Sequence, residues 1–284
     1  MKIKFLQFIT DFCKKNLKRK IHKDVDFCHI LLNKKNGLKK KQSIVNTLAI
    51  GSSHCAYSII PEEFNKNIFN LGVTSQDLFG SYWMYKNIID DLPNLKSVIL
   101  FYSFFLNGYD LSKTSEQWRC YYCKYILGIP YKLKENKKIK KWLKQKELEQ
   151  TEQHGDYNGY DPSTFFGSWN AEERCKGHLK NFYRNDNGLD YLDKVAQLAN
   201  RFNHNLYIVI PPYRSDYRNE LPGDLLEIAI NKIKNLTNYN NIKICNFLYD
   251  DSFDDTDFGD TDHLLYSGAC KLSKKLNYII NESE

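Results

Sequence analysis

Short apolar runs alternate with amphipathic stretches along most of the chain, from residue 44 onward. Continuous apolar runs are typical of strands buried on both faces, and amphipathic stretches of helical period are typical of crossover helices. The predicted strands are 44–50, 67–71, 97–103, 205–210 and 242–247, and the predicted helices are 75–90, 190–202, 224–236 and 267–280. The pattern therefore predicts an α/β fold with a doubly wound (flavodoxin-like), five-stranded parallel sheet and helices on both faces. Ligands of such sheets bind at the carboxyl ends of the strands.

Residues 110–180 do not follow this alternation, being rich in Lys and aromatic residues. They are interpreted as a helical insertion between strands 3 and 4 of one α/β domain, residues 42–284. Because the insertion leaves from the carboxyl end of a strand, it could cover the ligand crevice as a lid. A helical pair with no part in the site is an equal alternative.

Residues 1–41 form a basic amphipathic segment, in which Phe5, Phe8, Ile9 and Phe12 recur at helical spacing. Their charge balance is +10 within a total of +7, so the remaining chain sums to −3. Nucleic-acid binding is not expected, because it needs positive charge on the folded surface itself. The segment is either a helix packed on the domain edge or a peripheral anchor on an anionic membrane. No signal peptide or membrane-spanning stretch is predicted.

The eight cysteines lack the regular spacing of a disulfide framework. We interpret them as reduced thiols of a cytoplasmic protein, with the inner membrane face as an alternative location if the N-terminal segment is an anchor. Cys120 and Cys123 have the spacing of a metal or redox pair, but a second pair for a zinc site is missing. Neither a metal nor a cofactor is therefore expected.

The first predicted strand ends in Gly51, Ser52 and Ser53. A serine at a strand-to-helix turn is exposed at the edge of the sheet, where the helix N-terminus favours the negative charge of an attacking oxygen. Helix N-capping is the structural alternative for such a serine. Near the other end of the chain, Asp260 stands three residues before His263, just ahead of the last helix. One tight turn at this spacing brings a carboxylate to an imidazole, as a catalytic triad requires.

Together, these motifs resemble the SGNH/GDSL hydrolase superfamily over residues 44–282. Members found with bacterial surface-polysaccharide genes are similar in the segments LAIGSSHCAYSI, NLGVTSQDL, VILFYSFFLNGYD, YIVIPPYRSDY and DTDHLLYSGA. The resemblance implies Ser53 as the nucleophile, His263 as the base and Asp260 as its partner. It also implies an oxyanion hole formed by the backbone N–H groups of Ser53 and Gly72.

Two positions depart from the family pattern. Ser52 stands where the family usually has Asp, and the third block, a Gly-x-Asn-Asp, is missing. Asn107 is the candidate for the missing side-chain donor, and a plain Asn-Gly turn is the alternative. Arg214, after the fourth strand, is a candidate substrate contact or a surface residue. His54, beside Ser53, is a candidate substrate contact or a supporting residue.

The sequence thus predicts a serine-dependent esterase or O-acyltransferase that forms an acyl-enzyme. Its expected substrate is a small-molecule or glycan acyl ester, with an acetyl group on a carbohydrate favoured by the resemblance. The alternative is a noncatalytic scaffold of the same fold that binds a glycan or a partner at the membrane face. The missing third block favours the scaffold, and the joint presence of Ser53, Asp260 and His263 favours the enzyme.

Overall fold

The computed structural model of the protein describes residues 26–149, 157–163, 170–236 and 239–282. Phe5, Phe8, Ile9 and Phe12 lie outside the described residues. The five strands are β1 (Thr47–Ile50), β2 (Ile68–Asn70), β3 (Ser97–Phe101), β4 (Asn205–Ile210) and β5 (Ile242–Asn246). The helices of the first half are α1 (26–41), α2 (Ser53–Ala56), α3 (Leu78–Ile88), α4 (Arg119–Leu127) and α5 (Lys137–Glu149). Those of the second half are α6 (Ala171–Phe182), α7 (Leu189–Arg201), α8 (Ser215–Asn219), α9 (Leu225–Leu236) and α10 (Tyr266–Asn281).

The strands form one parallel sheet in the order β2-β1-β3-β4-β5. The register sets Ala49 opposite both Asn70 of β2 and Ile99 of β3. Every connection between strands is a crossover, so all carboxyl ends lie at the same edge. The predicted fold class, a doubly wound five-stranded parallel sheet, is therefore confirmed.

Alternate residues of the strands enter two separate cores. On β3, Val98 and Leu100 belong to the larger core, which includes residues of α1, α3, α7 and α9. Ile99 and Phe101 belong to the smaller core, which includes Leu272 and other residues of α10. This alternation explains the continuous apolar runs in the sequence, since both faces of the central strands are covered.

Helix α1 is packed into the domain. Its residues Phe27, Leu31, Leu32 and Leu38 are buried in the larger core. The described part of segment 1–41, residues 26–41, therefore contributes to the core of the α/β domain. The apolar residues at 27, 31 and 38 share one helical face, but the many lysines between 34 and 41 made this helix look solvent-exposed in the sequence.

The insertion contains α4, α5, a strap at residues 157–163 and α6. The strap lies along β2, at one edge of the sheet, where the backbone N–H of Asn70 donates to the Asn158 carbonyl at 2.9 Å. Gly159 adopts φ +89, and a Cβ there would come within 1.9 Å of the Asn70 carbonyl oxygen. The fully buried Lys34 donates to the Gly159 carbonyl and pairs with Asp161 at 2.9 Å. This cation joins the strap to α1.

Two further sequence features have structural outcomes. Within the described ranges, no helix combines the length and apolar character needed to cross a membrane. The described cysteines are free thiols. Cys120 and Cys123 are buried in α4, and burial raises the pKa of both thiols, so neither is a reactive thiolate at neutral pH.

The side chain of Asn70 connects the end of β2 to α2. Its Nδ2 donates to the carbonyls of Cys55, Ala56 and Ile59 at 3.1, 3.1 and 2.9 Å. Its Oδ1 accepts the backbone N–H of Gly72 at 2.9 Å. Asn70 is fully buried, so these groups have no access to bulk water. The helix that begins at Ser53 is therefore fixed at its carboxyl end by a single amide.

We predict that Asn70→Ala lowers the free energy of unfolding by about 3 kcal/mol, because it removes the side-chain donor of the buried Ala56 and Ile59 carbonyls at the α2 end. Urea denaturation monitored by circular dichroism measures the change. Asn67→Ala is the matched control, since Asn67 is exposed and only three residues away; its effect should stay within about 0.5 kcal/mol. A loss below about 1 kcal/mol for Asn70→Ala would contradict the anchoring role.

Candidate active site

The turn after β1 presents Ser53 at the carboxyl edge of the sheet. Gly51 has φ +145, and a Cβ on it would come within 2.8 Å of the Phe101 Cβ. Only glycine fits this close approach to β3. The backbone then enters α2, which begins at Ser53, so the Ser53 side chain stands at the N-terminus of a short helix.

Ser53, His263 and Asp260 form one hydrogen-bonded chain. The Oγ of Ser53 lies 2.8 Å from Nε2 of His263, and Nδ1 of His263 lies 2.8 Å from Oδ2 of Asp260. Because an ionised carboxylate only accepts, Nδ1 carries the proton and Nε2 accepts from the Ser53 hydroxyl. The structure thus brings the three residues together in the arrangement that the sequence motifs predicted.

The loop before α10 fixes the carboxylate of Asp260. Its Oδ1 accepts the backbone N–H groups of Asp262 at 2.9 Å and His263 at 2.7 Å. The backbone N–H of Gly259 donates to the His263 carbonyl at 2.9 Å, which closes the loop. Asp260 is buried, so its orientation is set by the protein alone.

A cavity of about 450 Å³ opens beside Ser53. Residues of α6 form one wall of this cavity. The lining residues are Ser52, Ser53, Ser75, Gln76, Phe105, Tyr109, Glu116, Glu173, Arg174, Gly177, His178 and Asn181. Of the two alternatives for the insertion, the structure therefore favours a part in the site, as one wall of the crevice.

A second buried carboxylate, Asp262, lies next to the triad. The guanidinium of Arg174 donates to Asp262 from Nε at 3.1 Å and from a terminal nitrogen at 2.9 Å. On the other side, Nε2 of His54 lies 3.4 Å from Asp262 Oδ2. Arg174 and Asp262 have no counterpart among the site residues predicted from sequence, and no local motif marks them.

His54 and His263 have opposite pKa shifts. Burial lowers the pKa of His54 below its ordinary value of 6.5. Burial also acts to lower the pKa of His263, but the negative charges of Asp262 and Asp260 outweigh it and raise that pKa above 6.5. Burial alone would raise the pKa of Asp262, yet the positive charges of His263 and Arg174 hold it well below its usual range. Asp262 therefore stays ionised while His263 titrates.

His54 was predicted as a substrate contact or a supporting residue, and the structure favours the second alternative. Its ring is 2% exposed and does not line the cavity. Its Nδ1 lies 2.8 Å from the Ser103 Oγ, and its ring stacks on that of His263 with centroids 5.0 Å apart and an interplanar angle of 20°. His54 is therefore a supporting residue behind His263.

The predicted oxyanion donors Gly72 and Asn107 also need correction. The Gly72 N–H donates to Asn70 inside the protein and is not free to face a ligand. The buried Asn107 accepts from the Tyr102 hydroxyl through Oδ1, and its Nδ2 points to Asp186 at 3.4 Å. Neither residue lines the cavity. Asn107 is thus a buried structural residue.

Ser75 is a site residue that sequence reasoning missed. It lines the cavity together with Ser53 and has φ +61, which is uncommon for a residue with a Cβ. Its hydroxyl donates to Glu116. Within the described residues, the backbone N–H groups of Ser53 and Ser75 donate to no acceptor. Glycine is the usual residue at positive φ, so the serine at this position did not indicate this backbone conformation in the sequence.

Arg214, predicted at the rim as a substrate contact, pairs with a close neighbour in sequence. Its guanidinium donates to both oxygens of Asp216, at 2.8 and 2.6 Å. Arg214 does not line the cavity, whereas Arg174 does. The arginine that lines the cavity is therefore Arg174, on helix α6 of the insertion.

One group of side chains near the triad has metal-ligand types. Ligand atoms of His54, Asp262 and His263 lie within 4.8 Å of one another. However, Arg174 already neutralises Asp262, and Ser53 and Asp260 engage both nitrogens of His263. A cation would have to break these interactions, so the cluster fits a metal poorly.

Comparisons with known proteins add a distant likeness. No protein-family model matches the chain, and no curated protein matches it. Among solved structures, a chain from Streptococcus pneumonia described as "a putative platelet activating factor" is similar, with 14% identity and a TM-score of 0.47. The match covers 93% of this chain and 99% of that chain. The functional assignment therefore rests on the sequence motifs and the geometry of the site.

We predict that His263 and His54 titrate on opposite sides of pH 6.5. Just above pH 6.5, His263 still binds its proton because its pKa is raised, while His54 is neutral because its pKa is lowered. Proton–carbon NMR of labelled histidine rings across the pH range measures both values. Spectra of His54→Gln and His263→Gln assign the signals. Titration of His263 below pH 6.5 would refute the charge balance described above.

Proposed function

We propose that the protein is a serine hydrolase or acyltransferase that forms an acyl-enzyme on Ser53. The observation that carries the proposal is the hydrogen-bonded chain from Ser53 through His263 to Asp260, in which Ser53 lines the cavity. A serine hydroxyl is a weak nucleophile until a base accepts its proton, and here the base is within hydrogen-bond distance and oriented by a carboxylate.

In the proposed reaction, Ser53 Oγ attacks the ester carbonyl carbon while its proton passes to Nε2 of His263. Asp260 stabilises the resulting imidazolium through Nδ1. When the tetrahedral intermediate collapses, the ester C–O bond breaks and His263 returns the proton to the leaving alcohol. Water or a second alcohol then attacks the acyl-Ser53 ester by the same steps in reverse.

For the developing oxyanion, we propose the backbone N–H groups of Ser53 and Ser75 as donors. Both residues line the cavity, and neither amide donates to another group among the described residues. A donor aimed at an oxyanion typically contributes about 3–4 kcal/mol to transition-state stabilisation. Ser75 thus takes the part that sequence reasoning gave to Gly72.

The proposed substrate is an O-acyl ester, with an acetylated carbohydrate favoured. The cavity volume of about 450 Å³ is in the usual range for a small-molecule site. Aromatic Phe105 and Tyr109 line it beside the amides of Gln76 and Asn181, a mixture that suits a sugar ring. The resemblance to polysaccharide-associated proteins supports the same class. Water as acceptor makes the protein an esterase, and a sugar hydroxyl makes it an O-acyltransferase.

We predict that a fluorophosphonate probe labels Ser53 and that the protein hydrolyses p-nitrophenyl acetate. Ser53→Ala and His263→Ala should lower kcat by at least about 1,000-fold, because each removes a member of a unit that acts together. Ser43→Ala, at an exposed serine outside the cavity, is the matched control.

Labelling that persists in Ser53→Ala would identify another serine, such as Ser52, as the nucleophile. An unmodified protein that neither reacts with the probe nor turns over the ester would favour the noncatalytic scaffold instead.

The pH dependence of kcat/KM gives a further prediction. His263 must be neutral to accept the Ser53 proton, and its pKa is raised above 6.5. Activity should therefore fall on acidification through an apparent pKa above 6.5. Asp260→Asn should move this acid limb to lower pH and reduce kcat by about 100-fold or more. An acid limb below pH 6.5 in the unmodified enzyme would contradict the raised pKa of His263.

A further inference from the structure

We propose that Arg174, Asp262 and His54 form a positioning unit that holds the His263 imidazole toward Ser53 and stabilises its protonated form. This inference rests on the proposed function, because it concerns the group assigned there as the base. The three residues come from separate parts of the chain: His54 from α2, Arg174 from the insertion helix α6, and Asp262 from the loop before α10. None of them belongs to the triad.

The ion pair of Arg174 with Asp262 is the outer part of this unit. Nε and a terminal nitrogen of the guanidinium donate to the two carboxylate oxygens, which is the bidentate geometry that best fixes orientation. The Asp262 side chain is fully buried. Its Oδ1 also accepts from the Thr261 hydroxyl at 3.2 Å and lies 3.9 Å from Nδ1 of His263. Asp262 is thus a second carboxylate beside the imidazole.

His54 lies close to Asp262 and packs against the ring of His263. With Ser103 donating to its Nδ1, the neutral His54 ring carries its proton on Nε2, which lies 3.4 Å from Asp262 Oδ2 without forming a hydrogen bond. The ring stacks on one side of His263, and Tyr57 meets His263 at 5.5 Å with an interplanar angle of 75°. These two ring contacts restrict rotation of the imidazole away from Ser53.

The charges that face His263 favour its protonated form. Asp260 and Asp262 bring two negative charges from the loop, and Arg174 brings one positive charge from α6. Burial lowers the pKa values of His54 on α2 and His178 on α6, so both are neutral near pH 7. The buried cluster therefore carries one excess negative charge, which is compensated when His263 accepts the Ser53 proton.

Asp262→Asn is the decisive variant, since it keeps the side-chain shape and removes the charge. We expect kcat to fall by about 10- to 100-fold with KM changed less than about 2-fold, as expected when a transition-state interaction is lost. The acid limb of kcat/KM should also move to lower pH by about one pH unit. A purely structural role would leave the acid limb in place.

Variants of Arg174 test its part in the unit, and a variant of Lys176 on the same helix is the matched control. Arg174→Gln should weaken the unit because Asp262 loses its bidentate partner, and Arg174→Lys should restore part of kcat because it returns the charge. Lys176→Gln removes an exposed positive charge two residues away and should leave both kcat and the acid limb unchanged. If Arg174→Gln fails to fold, Asp262→Asn alone decides the question.

NMR titration of the His263 ring separates this proposal from the proposed function. The pKa of His263 should be lower in Asp262→Asn than in the unmodified protein, whether or not any ester is turned over. A folded Asp262→Asn with unchanged kcat, acid limb and His263 titration would overturn the positioning unit. Failure of the unmodified protein to react with the fluorophosphonate probe would overturn only the catalytic assignment.

Discussion

The parallel pairing of β1 with β2 and β3 is the constraint on which the candidate site depends. Ala49 is in register with Asn70 of β2 on one side and with Ile99 of β3 on the other. The loops that follow these three strands therefore begin at the same edge of the sheet. The turn that carries Ser53 is then packed between its neighbours, against Phe101 of β3 and the Asn70 amide of β2. A shift of one residue in this register would exchange the two faces of a strand and separate the turns.

The fold and the arrangement of Ser53, His263 and Asp260 were predictable because their signals are local. Strands covered on both faces must be apolar throughout, and crossover helices with one packed face must be amphipathic, so the alternation defines the sheet. Ser53 follows directly on a strand, and Asp260 and His263 share one turn of backbone. Each motif therefore needed only a few consecutive residues to be recognised, and the topology then brought the two motifs together.

The remaining site depends on contacts that no short segment encodes. Arg174 and Asp262 are separated by 88 residues of sequence but form an ion pair in the fold. Nothing in the lysine-rich sequence of the insertion distinguishes Arg174 from the other basic residues. Ser75 adopts a positive φ because its surroundings impose it, and its residue type favours no such conformation. Arg214 was placed correctly after β4, but the carboxylate of Asp216, two residues later, already binds its guanidinium.

The strap at residues 157–163 has a consequence for association between copies of the chain. An edge strand presents unpaired N–H and C=O groups, to which a strand from another molecule can add. Here the Asn70 N–H donates to the Asn158 carbonyl, and the Asn70 carbonyl accepts from Lys34 Nζ at 3.2 Å. The same insertion that walls the cavity through α6 therefore also closes one border of the sheet. Shortening the chain to a minimal α/β unit would uncover this border and invite strand addition between molecules.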